Sequence, residues 1–250
     1  MHHSWQLLLL FATGLAAGFV DSIAGGGGLI TLPVLLSLGL DPKAALGTNK
    51  LQATCGSGSA AWHYARAKTV PLKDCTRGFL FSLFGAALGT LAVQRLDPAA
   101  LKRAIPILLI VVALIVLFRP QLGNTDAPPR VPRFWFDVLF GLGIGFYDGF
   151  FGPGTGTFWA MAYVMFLGFN LTKATGYSKV VNFASNLSSL AFFLWQGNIH
   201  FASGLVMGLG QILGAKLGSR MVITRGTKFI RPIFITVVLA IAMKLLLQPR

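Results

Sequence analysis

The chain has 250 residues, 54% of them hydrophobic and 11% charged, with a mean hydropathy of +0.70. Soluble domains carry roughly 25% charged residues, so this composition excludes a water-soluble enzyme or binding module and indicates an all-α polytopic membrane protein whose first partner is the lipid bilayer. The formal net charge is +14, but the Lys and Arg residues are scattered over the ends of apolar segments and form no tract, a pattern of membrane orientation and not of nucleic-acid binding.

In chain order, apolar segments predict helices over residues 5–23, 28–40, 49–65, 76–94 and 101–118, then over 134–151, 156–169, 179–195, 201–219 and 229–247. Several reach the roughly 17–25 residues that cross a bilayer, whereas 28–40 and 156–169 do not. Each of those two short segments follows a glycine-rich break. The first segment has no Lys or Arg before it and its pattern recurs in mid-chain, so it reads as a retained helix and not as a signal peptide. Cys55 and Cys75 suggest neither a disulfide framework nor a thiolate metal site.

The recurrence defines an internal repeat. Residues 14–30, "GLAAGFVDSIAGGGGLI", and 141–157, "GLGIGFYDGFFGPGTGT", agree at seven of seventeen positions, including Asp21/Asp148, Gly25/Gly152 and Gly27/Gly154. After a two-residue insertion the match resumes at Gly47/Gly176, Lys50/Lys179 and Ser59/Ser188, and later at Gly85/Gly214 and Gly89/Gly218. The expected organisation is a first transmembrane repeat over 1–118, a Pro-rich linker over 119–133 and a second repeat over 134–250. Each repeat would hold a Gly-broken helix or re-entrant hairpin and about three transmembrane helices. Counting each Gly-broken pair as an even number of crossings puts 13 Lys/Arg on one side, within 66–77, 119–133, 173–179 and 220–231, against five at 43, 50, 95, 102 and 103. Counting each pair as one span splits the same residues 7 to 11, so the inverted arrangement fits the bias of basic residues better.

Glycine costs about 1 kcal/mol per helix position relative to alanine, so "GGGG" (Gly25, Gly26, Gly27, Gly28) and "GPGTG" (Gly152, Gly154, Thr155, Gly156) need a compensating role. Just before a short helix, each supplies backbone N–H donors and the positive end of a helix dipole, and glycine lets a ligand approach the chain closely. The ligand suited to both is a small anion. Lys50 and Lys179, read as lying near the start of the next segment, add charge of the right sign. Asn49, Gln52, Asn182 and Asn186 could line the same cavity, the last two sharing a face at i, i+4 spacing. Asp21 and Asp148 are carboxylates well inside apolar segments, where a charge costs on the order of 3 kcal/mol or more; they either carry protons or brace the broken backbone by accepting N–H bonds. The lysines either pair with these aspartates and exchange partners when an anion enters, or sit at a mouth and attract anions. By contrast, "GAALG" at 85–89 and "GQILGAKLG" at 210–218 read as small-residue packing faces. Neither break has the Gly-x-x-x-x-Gly-Lys-Ser/Thr pattern, and no His/Cys/Asp grouping has metal spacing, so no nucleotide, metal or other cofactor is expected and no membrane-embedded enzyme is indicated.

The stretches "DSIAGGGGLITLP", "ALGTNKLQ", "YDGFFGPGTGTF" and "KVVNFASNL" resemble, in order and over nearly the whole chain, the sulfite exporter TauE/SafE family of bacterial membrane transporters. The resemblance implies a permease of the bacterial inner (plasma) membrane that moves small anions, typically sulfite, sulfonates or related organosulfur compounds, driven by an ion gradient. Its motif carries over to Asp21, Gly25 to Gly28, Thr48 to Lys50, Asp148, Gly152, Gly154, Gly156, Lys179 and Asn182. The residues themselves do not separate a sulfur oxyanion from a small carboxylate, or a coupled transporter from a passive anion channel, and homo-oligomerisation is left open.

Overall fold

A computed structural model describes residues 4–117 and 125–226. The segment expected over 229–247, with Lys228 and Arg231, and the first part of the linker including Arg119, lie outside the described residues. Among the described residues the chain is helical: α1 (Ser4–Ala24), α2 (Gly27–Ser37), α3 (Pro42–Arg66), a 3-10 turn (Leu72–Cys75), α4 (Thr76–Gln94), α5 (Pro98–Leu117), α6 (Arg133–Phe150), α7 (Thr155–Leu167), α8 (Leu171–Trp195) and α9 (Phe201–Arg225). Three stretches, Ser4–Ala24, Leu72–Gln94 and Phe201–Arg225, are long and apolar enough to cross a membrane by length and composition.

α3 and α8 begin well before the expected 49 and 179. Asp41, in extended backbone (φ −63°, ψ 156°), accepts the N–H groups of Lys43 and Ala44, and Pro42 occupies the first helical position. Asn170 does the same at α8 (φ −63°, ψ 158°), accepting from the Lys173 N–H. A capped start extends each helix to 25 residues, about 38 Å at 1.5 Å per residue, and puts Lys50 and Lys179 deep inside. The opposite is true of α2 and α7. Their 11 and 13 residues reach about 16 and 20 Å, short of a hydrocarbon core of roughly 30 Å.

The helices bury their small faces and expose their large ones. On α4, Gly78, Ser82, Gly85, Ala86 and Gly89 are buried, while Leu80, Phe84 and Leu88 are exposed; on α9, Gly210, Gly214 and Gly218 are buried and Leu205, Leu209 and Leu217 exposed. Lipid is as apolar as leucine, so helix association in a membrane comes from close backbone approach, which the small face permits. α4 packs on α6 by setting Gly85 and Gly89 against the Leu142 and Phe146 carbonyls, and α1 packs on α9 through Gly14, Gly18, Gly210 and Gly214. The two stretches read as packing faces in the sequence have that role.

Hydrogen bonds sort the helix ends into two groups. At one end Arg133 donates to the Asp74 carbonyl, Tyr177 to the Asp74 carboxylate, and the Ala127 and Arg130 N–H groups to Gly168 and Phe166. There Asp126 accepts both the backbone and side-chain N–H of Asn170, with Lys173 at 3.5 Å. The Asn170 backbone N–H, first of these, holds the Asp126 carboxyl below the usual carboxylate range. At the other end Lys43 reaches the Gln94 carbonyl, and the His200 N–H donates to Thr48 Oγ1. Each end has its own apolar cluster, one aromatic, around Tyr64, Phe136, Trp159, Tyr163 and Tyr177, the other mainly aliphatic, around Leu10, Leu29, Leu32, Leu35 and Met207. Between the two clusters lies a polar centre.

Candidate functional site

The centre is built where the chain breaks. α1 ends at Ala24, Gly25 and Gly26 take left-handed backbone (φ 79° and 95°), and α2 starts at Gly27. In the other half α6 ends at Phe150, Gly152 and Gly154 are left-handed (φ 94° and 86°), and α7 starts at Thr155. Such dihedrals cost a side chain roughly 1–2 kcal/mol, which accounts for glycine at these positions. The caps pair Gly26 with Gly154, one position off the alignment of Gly27 with Gly154, because Pro153 separates the second pair of glycines. Each break turns the chain back: Gly27 packs against Ala17 and Asp21 of α1.

The two short helices meet head to head. Gly25 lies against the backbone of Gly156 and Thr157, Gly28 lies against Pro153, and Thr157 Oγ1 donates to the Ala24 carbonyl at 2.7 Å. Two helix N-termini, with the positive ends of their dipoles, therefore point at one spot. Among the described residues no protein acceptor takes the N–H of Gly28 or of Gly156, the second residue of each short helix.

Charge fills the space around them. Lys50, the ninth residue of α3, donates from Nζ to Asp148 Oδ1 at 2.7 Å, to the Asp148 carbonyl, and to Asn186 Oδ1 at 3.3 Å. Lys179, the ninth residue of α8, donates to Asp21 Oδ2 at 3.0 Å. Each lysine thus pairs with the aspartate of the other half. Both lysines are buried and neither stands at a mouth. Two glycines of the breaks are seats for these ammonium groups: a Cβ at Gly152 would lie 2.8 Å from Lys50 Nζ, and one at Gly156 2.7 Å from Lys179 Nζ. The close approach that glycine permits at these two positions is thus made by the protein's own cations.

The cavity enclosed here measures ≈ 20 Å³ and is lined by Asp21, Gly26 to Gly28, Asn49, Asp148, Gly152, Gly154, Thr155, Gly156, Asn182 and Asn186, together with Ala53 and Gln211. Most of the residues picked from the sequence converge on it. Thr48 does not: its hydroxyl accepts the His200 N–H at the α3–α9 junction. Gly25 stands behind the cavity, holding the two breaks together. Sequence reasoning missed Ser185, whose hydroxyl donates to Asp148 Oδ2, and Gln211, which donates to Gln52 in a buried chain that continues to Asn49 and Thr31. A serine in an apolar helix gives no signal, and Gln211 sits inside a glycine pattern that reads as packing. Asn182 and Asn186 do share a face, the Asn186 amide donating to Asn182 Oδ1 at 3.0 Å.

Helices with lipid-type surfaces around a buried, internally paired polar centre define a helical membrane protein, and such intramembrane charges mark a functional site. Residues 10–245 match the family described as sulfite exporter TauE/SafE, and the chain belongs to that family. It is 48% identical over 229 residues to a "Probable membrane transporter protein" of Haemophilus influenzae, covering 92% of this chain and 90% of that one. It is 45% identical to "Probable membrane transporter protein ORF9" of Sinorhizobium sp (97% and 93% covered) and 44% identical to "Probable membrane transporter protein YfcA" of Escherichia coli K12 (95% and 88% covered). The protein is therefore a membrane transporter of this family and not an enzyme. No solved structure matches the chain.

Proposed function

We propose that the protein is a secondary transporter of a small anion, a sulfur oxyanion or organosulfonate, which crosses the bacterial inner membrane coupled to an ion gradient. The observation that carries this reading is the pair of buried lysines, each held by an aspartate of the opposite half, around a cavity onto which two helix N-termini converge. Such a site offers an anion two ammonium groups, free backbone N–H donors and two dipole ends. The cavity is about the size of one water, so an oxyanion enters only as a lysine leaves its aspartate. The carboxylate so released is then available to a proton, which links anion movement to a proton gradient.

The same reading takes the halves as inverted repeats on either side of the midplane. Both run helix, left-handed glycine, short helix, then a capped 25-residue helix with lysine at its ninth position. The α1–α2 hairpin leads to the end that holds Lys43 and Gln94, and the α6–α7 hairpin leads to the end that holds Asp74 and Asp126. Arg66, Lys68, Lys73, Arg77, Arg130 and Lys173 gather at the latter, which makes it the cytoplasmic end. The lysines counted for either side, 50 and 179, belong to neither.

The test is transport by purified protein in proteoliposomes. Labelled sulfite or taurine should accumulate against its gradient when a pH gradient is imposed, with unlabelled sulfite competing and acetate not. Flux that only equilibrates would make the protein a channel, and uphill flux of small carboxylates alone would replace the sulfur assignment.

A further inference from the structure

The two ion pairs occupy matching places but are built differently. Asp148 is saturated. Besides Lys50 it accepts Asn182 Nδ2 at 3.3 Å and the Ser185 hydroxyl, Thr155 Oγ1 lies 3.1 Å from Oδ1 with its hydrogen shared with the Gly152 carbonyl at 2.6 Å, and the Asp148 side chain is 2% exposed. Lys50 is saturated as well, its three N–H bonds going to the Asp148 carbonyl, Asp148 Oδ1 and Asn186 Oδ1. Asp21 accepts from Lys179 at 3.0 Å and from the Gly27 N–H at 3.2 Å, and its side chain is 18% exposed to the cavity. Among the described residues Lys179 uses one of its three N–H bonds, although it is fully buried.

The sequence explains the difference. Counting from Lys50 and Lys179, Ala53 stands where the other half has Asn182, and Gly56 where it has Ser185. Gly56 cannot become serine without meeting the Gln211 side chain, which fills that space. The first helical position after the break is Thr155 in one half and Gly27, without a hydroxyl, in the other.

We infer that the pairs have separate duties: the entering anion takes Lys179 from Asp21, while Lys50 and Asp148 stay joined as a fixed strut. Opening the Asp148 pair would break two of the three bonds of the Lys50 ammonium, to the Asp148 carbonyl and to its carboxylate, at a fully buried place. Opening the Asp21 pair breaks the single bond of Lys179 and leaves the Gly27 N–H on a carboxylate that already faces the cavity, and the freed ammonium brings its two unused donors to the anion. This rests on the anion-transport reading for its ligand, but not for the difference between the pairs.

Competition tests it. Aspartate and substrate contend for the same ammonium, so Asp21→Asn should tighten sulfite binding about tenfold, measured by sulfite-dependent thermal stabilisation of purified protein. Asp148→Asn should lower the melting temperature in the absence of sulfite more than Asp21→Asn does, and should not tighten binding. Ser185→Ala, a milder change to the same carboxylate, should also leave sulfite affinity unchanged. Tighter binding in Asp148→Asn or Ser185→Ala, or unchanged or weaker binding in Asp21→Asn, would overturn the assignment. If no variant binds sulfite, the ligand assignment fails and the pairs are compared directly. Carbamylation of the wild-type protein by cyanate, read by peptide mass spectrometry, should then mark Lys179 well before Lys50. Equal rates, or Lys50 first, would overturn the inference on its own.

Discussion

Gly156→Ala tests the ammonium seat at a glycine whose backbone conformation any residue can adopt. Position 156 is the second residue of α7 and does not have a positive φ, so alanine meets no backbone strain there and would gain up to about 1 kcal/mol from helix propensity. Against this, the new methyl would lie 2.7 Å from Lys179 Nζ and 3.1 Å from Gly25 Cα. The lysine end can move by the missing ångström or so; the Gly25 backbone, clamped between the two breaks, cannot. Overpacking of this kind costs about 1–3 kcal/mol, so the net effect is a loss of up to about 2 kcal/mol. The functional effect should be larger, because a shift of about 1 Å takes Lys179 to the edge of pairing distance from Asp21 and pushes it into the path of the anion. Thermal unfolding of the purified variant and sulfite uptake by proteoliposomes measure both. Gly143→Ala, on the same protein with nothing within 4 Å of its Cβ, is the control and should be neutral or slightly stabilising. A Gly156→Ala protein as stable as wild type and transporting at the wild-type rate would refute the reasoning.

Lys50→Gln should destabilise the fold by about 3–5 kcal/mol, since it leaves Asp148 buried without its cation, and adding Asp148→Asn should recover much of that loss; additive effects in a double-mutant cycle would show that the pair is not coupled. Single cysteines at Lys68 and at Asp97, in a protein with Cys55 and Cys75 replaced, should be labelled from opposite faces, Lys68 from the cytoplasm. Asp126, whose carboxyl is held below the usual range first by the Asn170 N–H, contributes stability that is complete above the ordinary aspartate value of about 3.9 and is lost as pH falls through its lower folded value. Asp126→Asn should therefore lower the melting temperature at pH 7, with the gap to wild type closing under acid conditions; a gap independent of pH would remove Asp126 from the brace on α8.

The broad plan was legible because membrane helices declare themselves by apolar length, and the breaks because four consecutive glycines have no place in a straight helix. The beginnings of α3 and α8 were not. "PKAALG" and "LTKATG" are too polar to register as apolar segments, so the helix signal there lies in Asp41 and Asn170 as caps, and without it Lys50 and Lys179 read as lying near the start of a segment, with pairing to the aspartates and a place at a mouth both open. Which aspartate each lysine meets depends on packing between halves and could be narrowed to pairs, no further. Thr48 stands apart from the cavity because, at about 100° per residue, its hydroxyl points roughly a third of a turn from Asn49 and more than half a turn from Lys50, toward His200. Ser185 and Gln211 acquire meaning only from what faces them.

The crossed pairing of charges has a consequence for how the protein is made. A chain emerging from the ribosome presents Lys50 98 residues before Asp148, and Asp21 158 residues before Lys179. The first half therefore enters the bilayer with an ammonium and a carboxylate whose native partners are still untranslated, each a burden on the order of 3 kcal/mol at that depth. The second half, made alone, would likewise hold one lysine and one aspartate without their native partners. Each half carries one lysine and one aspartate, and both find their native partners only when the halves dock. A truncated or stalled chain therefore differs from the finished protein at the same four residues that form its centre, since neither crossed pair can close until both halves are made.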